Sequence, residues 1–256
     1  MIELVHVNAG YGEVIKLYDI NLQIQQGTII AVIGPNGSGK STLLKTILGM
    51  TTRKSGQVLI EGKEQKAYEK EELARIIGFL PQTRNVPSIT VERMILHGRF
   101  PYLSYPRRYS NRDYEIVKKA MEDYELLELK EKQLQELSGG ERQKVYLAMA
   151  KVQDSAYYLF DEPTTYLDIA HQLEFLMQIR RLKEQGKTCV VVLHDLEAAL
   201  KLADELILLN RGVVAFQGDA KSLLKQEVID RIFRVNVRCL TDITGEQWYH
   251  MESANK

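Results

Sequence analysis

Residues 28–42 read TIIAVIGPNGSGKST, and this stretch decides what the rest of the chain can be. A run of apolar, largely β-branched residues leads into a glycine-rich turn, a lysine and two hydroxyls follow, and LLKTIL continues at helical spacing. Strand, glycine loop and helix in that order give the pattern G-x-x-x-x-G-K-[ST] its meaning as a phosphate cradle. Gly34, Gly37 and Gly39 let the backbone turn tightly and leave its N–H groups pointing at one anion. The helix that starts near Lys40 adds the positive end of its dipole. The Lys40 ammonium can reach β- and γ-phosphates, and the Ser41 hydroxyl can ligate Mg²⁺.

A chain of 256 residues can bury one large core or two small ones. Lys and Arg together number 34, as do Asp and Glu, so the formal charge is zero. That balance speaks against a nucleic acid held by bulk electrostatics. Cys189 and Cys239 lie far apart and no metal-ligand spacing surrounds them, which makes a reducing compartment the default. Met1-Ile2-Glu3 leads straight into strand-like alternation, without a signal peptide. No apolar run approaches the roughly 20 residues that span a bilayer. The expectation is a soluble, cytoplasmic chain whose membrane role, if any, comes through a partner.

Outward from the glycine loop, residues 2–7 and 17–24 alternate as half-buried strands do. Between them stands Gly10-Tyr11-Gly12; this tyrosine can lid local apolar surface or offer a flat face to a purine. Residues 56–61 and 76–80 read as further strands, the second broken by Pro81 and followed by Gln82. From 91 to about 136 the pattern turns helical: helices over 91–97 and 111–124, a cap at Ser110 or Asn111, and between them the basic, aromatic loop GRFPYLSYPRR, 98–108. This block, about 86–150, reads as a helical subdomain inserted into an α/β core.

LSGGE, 137–141, opens the next helix. Ser138 and Glu141 have the spacing of a capping box, which leaves Gly139 and Gly140 unexplained. Two glycines in a first turn cost about 1 kcal/mol each against alanine. A group that approaches the backbone closely would account for them, and an anion fits. Residues 157–160 form a buried strand ending in Asp161-Glu162-Pro163, and 188–193 another ending in His194-Asp195. Both carry their chemistry at the carboxyl end, where ligands bind in open α/β sheets. Helical stretches at 169–185 and 196–203 separate them, so a parallel sheet is expected. Residues 205–209 and 213–217 read as a closing hairpin, and a helical tail is expected over about 219–256, with the helix itself read over 219–233 and no clear signal in the last residues.

In order and spacing these motifs resemble the nucleotide-binding subunits of ABC transporters over roughly residues 1–218. GPNGSGKST matches the Walker A loop, LSGGE the signature, YYLFDEP the Walker B strand, Gln82 the Q-loop, 165–168 the D-loop and His194 the switch histidine. The resemblance implies a single ABC ATPase domain over 1–256. Its fold would be an α/β P-loop NTPase core of mainly parallel sheet, with an N-terminal antiparallel β subdomain and an inserted helical one. It implies that Gly34, Pro35, Asn36, Gly37, Ser38, Gly39, Lys40, Ser41 and Thr42 bind ATP, with Tyr11 stacked on adenine. Ser41, Gln82 and Asp161 would serve Mg²⁺. Glu162 would polarise the attacking water, with Gln82 and His194 as catalytic partners. Adjacent residues leaving a strand point to opposite sides, which agrees with separate roles for Asp161 and Glu162. Ser138, Gly139, Gly140 and Asp168 would complete the site of a second copy, sandwiching ATP in a two-fold homodimer.

Tyr166, His171-Gln172, Arg99 and Pro101, with 235–238 and Thr244-Gly245, look like the branch serving importers of ferric siderophores, haem and vitamin B12. Tyr166 could merely pack, and His171 could simply face solvent. The partners implied are membrane permease subunits on the inner face and, indirectly, an extracytoplasmic binding protein, with no nucleic acid. The competing class is a soluble ABC-type ATPase of cofactor assembly or repair. Phe100, Tyr102, Leu103 and Tyr105 among basic residues suggest a permease-docking loop, unless they fill the helical core.

Overall fold

The computed structural model describes residues 1–82, 86–165, 167–241 and 247–253. Tyr166 and Thr244-Gly245 lie outside the described residues, as does part of the loop after Gln82. Along the chain run β1 (Ile2–Tyr11), β2 (Val14–Ile24), β3 (Ile29–Ile33), α1 (Lys40–Ile47), β4 (Thr52–Ile60) and β5 (Lys63–Glu64). Then come α2 (Lys70–Ile76), β6 (Ile77–Leu80), α3 (Val91–His97), α4 (Asn111–Asp123), α5 (Gly139–Gln153), β7 (Tyr157–Asp161) and α6 (Ile169–Glu184). The chain closes with β8 (Thr188–Val192), α7 (Leu196–Leu202), β9 (Glu205–Asn210), β10 (Val213–Gly218), α8 (Ala220–Lys225), α9 (Val228–Phe233), β11 (Val235–Thr241) and β12 (Gln247–Ser253). Two compact units emerge: one of Met1–Tyr68 with Arg180–Lys256, the other of Glu69–Ile179.

In the first unit, β2, β1, β4 and β5 form an antiparallel sheet in that order. Its apolar positions are buried, as the alternation requires: Ile2, Leu4, Val7 and Ala9 on β1, Leu17, Ile20, Leu22 and Ile24 on β2. Gly56 lies inside β4, where the β1–β4 register shifts between Val5 and Asn8. Its φ is 78°, and a Cβ there would lie 2.3 Å from the His6 carbonyl oxygen, so only glycine fits this bulge. The same unit holds β3 between β8 and β9, all parallel. Every residue of β3 and β8 is buried, the continuous apolar pattern of strands covered on both faces. β10 returns antiparallel on β9 through Arg211-Gly212, both at positive φ, a two-residue turn that suits strand twist.

The C-terminus departs from the helical tail expected over 219–256. It is helical through α8 and α9 to Phe233, and then β11 and β12 pair as an antiparallel hairpin. Val235, Val237 and Cys239 carry a period-two signal, but most of β11 is exposed, so no strong apolar face announces the strand. The Lys201 ammonium on α7 sits 3.6 Å from the Trp248 ring centroid of β12, within cation–π range.

In the second unit, β6 and β7 pair in parallel, Ile77 opposite Tyr157 through Leu80 opposite Phe160. Its helical core joins Val91, Ile95 and Leu96 of α3, Val117, Ala120 and Met121 of α4, and Val145, Ala148 and Val152 of α5. Ser110 is the cap of α4: its hydroxyl accepts from the Asp113 N–H, and the Asp113 carboxylate accepts from the Ser110 N–H. Helix α2 is an addition to the sequence reading; with none of its residues buried it presents no apolar face to detect.

The loop over 98–108 is tied down by polar contacts more than by burial. Arg99 bonds Asp113 at 3.0 Å and the Val152 carbonyl at 2.8 Å, and lies over the Tyr102 ring. The Tyr102 hydroxyl donates to the Gln153 carbonyl at 2.7 Å. Phe100 remains 42 % exposed and Tyr105 96 %, so these aromatics are not the helical core.

Candidate functional site

The phosphate loop belongs to the first unit and joins β3 to α1. Gly34, Gly37 and Gly39 have φ of 150°, 76° and 107°, the left-handed half of conformational space that L side chains avoid. At Gly34 the requirement is doubled, because a Cβ would lie 2.2 Å from the Leu209 carbonyl oxygen. Pro35 begins the turn and accepts from the Ser38 N–H at 3.1 Å, while Asn36 and Gly37 are exposed. Gly39 is the N-cap of α1 and supplies no side-chain acceptor, so the first turn keeps donors for a ligand.

Lys40 is buried and its ammonium donates to the Gly34 and Pro35 carbonyls at 2.8 and 3.1 Å, which stitches the loop around the charge. The buried Ser38 hydroxyl has no hydrogen-bond partner among the described residues. An orphaned hydroxyl under an array of amides fits an anionic ligand. Ser41 is half-buried and Thr42 buried in the first turn of α1. Tyr11 stands at the end of β1, 44 % exposed, on the hairpin whose Gly10 and Gly12 leave no bulk beside it. His194 is exposed just beyond β8.

The second unit brings Gln82 and Glu162 together. The β6–β7 register pairs Leu80 with Phe160, and two residues further on the Gln82 amide donates to the Glu162 carboxylate. Parallel pairing therefore explains how residues eighty apart in sequence meet. Asp161 is buried at the last position of β7. Glu162 follows with φ of 51°, a left-handed conformation uncommon for glutamate. Such conformations cost about 1–3 kcal/mol and gather at functional sites. A cavity of about 400 Å³ opens beside the pair, lined among others by Gly139, Arg142, Tyr146 and Thr165.

Ser138 caps α5, and the capping box is complete: its hydroxyl accepts from the Glu141 N–H at 3.2 Å, and its N–H donates to the Glu141 carboxylate at 2.7 Å. Bonds to the carboxylate from the Ser138 N–H and hydroxyl hold the Glu141 carboxyl below its ordinary range. Gly140 has no positive φ, yet a Cβ there would fall 2.0 Å from the His171 ring. The close neighbour that demands glycine is thus, at Gly140, a side chain of the same unit. Asp168 opens α6; its carboxylate accepts from the His171 N–H at 2.9 Å and faces Nδ1 at 2.7 Å, and these bonds lower its pKa.

Sequence reading missed Arg142, Gln143 and Tyr146 as cavity residues, and the strained backbone of Glu162. Tyr146 falls on the helical repeat of α5 and could have been placed; a left-handed glutamate has no signature in sequence.

A phosphate loop between strand and helix, with paired carboxyl-end acids on another strand of an α/β fold, defines a P-loop nucleotide triphosphatase. The sequence profile of the ABC transporter family matches residues 17–165. The chain belongs to the ABC transporter family, as its ATP-hydrolysing subunit. It is 40 % identical to the iron(3+)-hydroxamate import ATP-binding protein of Bacillus subtilis, over 91 % of this chain and 87 % of the relative. It is 39 % identical to the ferric enterobactin transport ATP-binding protein of Escherichia coli, over 90 % of this chain and 85 % of that one. A solved ATP-binding cassette, a dimer in a post-hydrolysis state with ADP and Pi, superposes with a TM-score of 0.74 at 28 % identity, covering 86 % of this chain and 99 % of that one. Among the described residues no helix is long and apolar enough to cross a membrane.

Proposed function

We propose that this chain powers an importer of ferric siderophores or a related metal chelate, working as one ATPase domain beneath a membrane permease. The observation that carries the reading is the 40 % identity to a hydroxamate import subunit over 91 % of the chain. The same relatives favour transport over a soluble ATPase of cofactor assembly or repair. In this reading the loop from Gly34 to Thr42 cradles the triphosphate, Lys40 neutralises its charge and Tyr11 stacks on adenine.

Ser41 hydroxyl, Gln82 amide oxygen and Asp161 carboxylate are all hard oxygen donors, the set that suits Mg²⁺ over softer metals. Bound there, Mg²⁺ would neutralise charge on the phosphate oxygens. Glu162 accepts a proton from the attacking water and aims its lone pair at the γ-phosphorus, with Gln82 holding the carboxylate in place. His194 is read as a donor to the γ-phosphate. Phosphoryl transfer asks for such placement more than for covalent chemistry.

Ser138, Gly139, Gly140 and Asp168 are read as contacts to ATP held by a second copy, so that nucleotide closes a homodimer and hydrolysis opens it. The solved dimer of a related cassette supports this arrangement. The loop carrying Phe100 and Tyr105 is read as the permease contact, since exposed aromatics in one patch mark interfaces. An extracytoplasmic binding protein would deliver the chelate, and the subunit would sit on the inner face of the membrane.

Uptake of radiolabelled ferric siderophore in cells lacking the chain tests the reading. The wild-type chain should restore uptake and Glu162→Gln should not. Uptake unaffected by loss of the chain would remove the importer assignment.

A further inference from the structure

The residues proposed to reach a second copy, Ser138 to Gly140 and Asp168, lie at the starts of two different helices, α5 and α6. Something must fix their spacing. One side chain touches both. His171, on the first turn of α6, bonds the Asp168 carboxylate through its backbone N–H at 2.9 Å and through Nδ1 at 2.7 Å. The rest of its ring occupies the volume a Cβ on Gly140 would need: Cδ2 and Nε2 would each be 2.0 Å away and Cε1 2.7 Å. One turn further along, Lys144 of α5 and Glu174 of α6 approach to 3.3 Å, a second tie between the same helices.

The Gly140 backbone has no positive φ, so conformation does not demand glycine there. The imidazole does. An alanine would drive the ring off Gly140, and the ring cannot leave without giving up Asp168.

Resting on the composite-site reading above, we propose that His171 is a positioning residue that locks Asp168 to the Ser138–Gly140 turn, so that the two are presented to the second copy as one preset surface. The lock acts on assembly of the ATP-bound dimer and not on nucleotide capture by one subunit. His171 touches neither substrate nor reacting atoms in this scheme.

The test uses the full chain carrying Glu162→Gln, with light scattering across an ATP titration and, at dilution, binding of a fluorescent ATP analogue to the monomer. His171→Ala should raise the ATP concentration for half-maximal dimerisation by at least about 10-fold, equivalent to roughly 1.4 kcal/mol. Monomer affinity should stay within about twofold, a few tenths of a kcal/mol. His171→Asn, which keeps a donor near the Asp168 carboxylate, should recover most of the dimer. Gly140→Ala should impair dimerisation, and adding His171→Ala to it should cost nothing more, because the methyl has already displaced the ring and broken the lock.

Five results would overturn the proposal. Dimerisation of His171→Ala at the parent's ATP concentration would show that the lock is not needed. Equal loss of monomer affinity would show a general structural role, as would a failure of both His171 variants to fold. Additive losses in the Gly140 and His171 pair would show that the glycine serves something other than the ring. If the Glu162→Gln parent itself stays monomeric with ATP, the composite-site reading falls and takes the proposal with it. A dimeric parent with indifferent His171 variants removes the proposal alone.

Discussion

Two glycine-rich turns in this chain each open a helix, and they use glycine for opposite reasons. In the phosphate loop, Gly34, Gly37 and Gly39 all lie at positive φ, and the N-cap of α1 offers no side-chain acceptor. In the signature turn neither Gly139 nor Gly140 has positive φ, and Ser138 with Glu141 caps α5 in full. The first turn is built around backbone conformations that leave donors to a ligand. The second is a capped helix start in which the missing side chain of Gly140 makes room for the His171 ring. Glycine content at a helix N-terminus therefore does not by itself report an anion site; the sign of φ and the state of the cap separate the two cases.

The largest separation should appear in nucleotide binding by the isolated subunit. Lys40→Ala removes charge-assisted bonds worth about 1.5–3 kcal/mol and should weaken ATP binding roughly 10- to 150-fold. Ser138→Arg alters a turn that in this reading meets the nucleotide of the second copy, and should leave that affinity within about twofold while blocking the ATP-dependent dimer. Calorimetry on dilute monomer gives the first quantity and light scattering the second. Equal loss of affinity in both variants would erase the distinction between the turns.

Next in size is Gly34→Ala. The new methyl would press on the Leu209 carbonyl at 2.2 Å, in backbone that belongs to a paired core strand, at φ of 150°. A loss of stability of at least about 1–3 kcal/mol is expected in chemical unfolding. An unchanged unfolding midpoint would mean that the loop relaxes freely and that its glycines are not conformational.

What was legible in the sequence follows the same division. The order of strand, loop and helix around Gly34–Thr42, the buried runs at β7 and β8, and the caps at Ser110 and Ser138 are local patterns, so sequence holds them. The meeting of Gln82 with Glu162 depends on the β6–β7 register, a long-range fact inferred only through family resemblance. His171 shows the limit most clearly: beside Asp168 on the page of sequence it reads as a solvent-facing helix residue, and only the fold sets its ring over Gly140, thirty-one positions earlier. Short elements with exposed faces escaped for a plainer reason. Helix α2 has no fully buried residue, and the β11–β12 hairpin leaves Leu240 and Trp248 largely exposed, so neither has a hydrophobic period strong enough to read.

A smaller effect isolates conformation from crowding. At Gly37 no atom of the described residues lies within 4 Å of where a Cβ would stand, and only the φ of 76° opposes a side chain. Gly37→Ala should therefore cost about 1–2 kcal/mol, the left-handed penalty alone, read as a lowered unfolding midpoint. Gly37→Asn should recover part of it, because asparagine tolerates this region better. An alanine variant as stable as wild type would show that the loop at Gly37 is free to change hand.

The smallest effect distinguishes the caps by pH. The Glu141 carboxyl titrates below its ordinary value because the Ser138 N–H and hydroxyl bond its charged form. A group whose folded pKa is depressed adds stability that is present in full above its unfolded pKa and fades as pH falls through the folded value. The side chain is largely solvated, so screening keeps the contribution to a few tenths of a kcal/mol. Hydrogen-exchange protection of the first α5 amides should accordingly exceed that of Glu141→Gln near pH 7, and the gap should close as the carboxyl protonates below about pH 4.5. The α1 start has no acidic residue in its first turn and should show no such acid-side loss of local protection. A gap that persists at low pH would mean that Glu141 stabilises the turn by shape, with glutamine simply a poorer fit. A matching loss of protection in α1 would mean that the two helix starts open together, and the contrast between a capped turn and a ligand-ready one would fail.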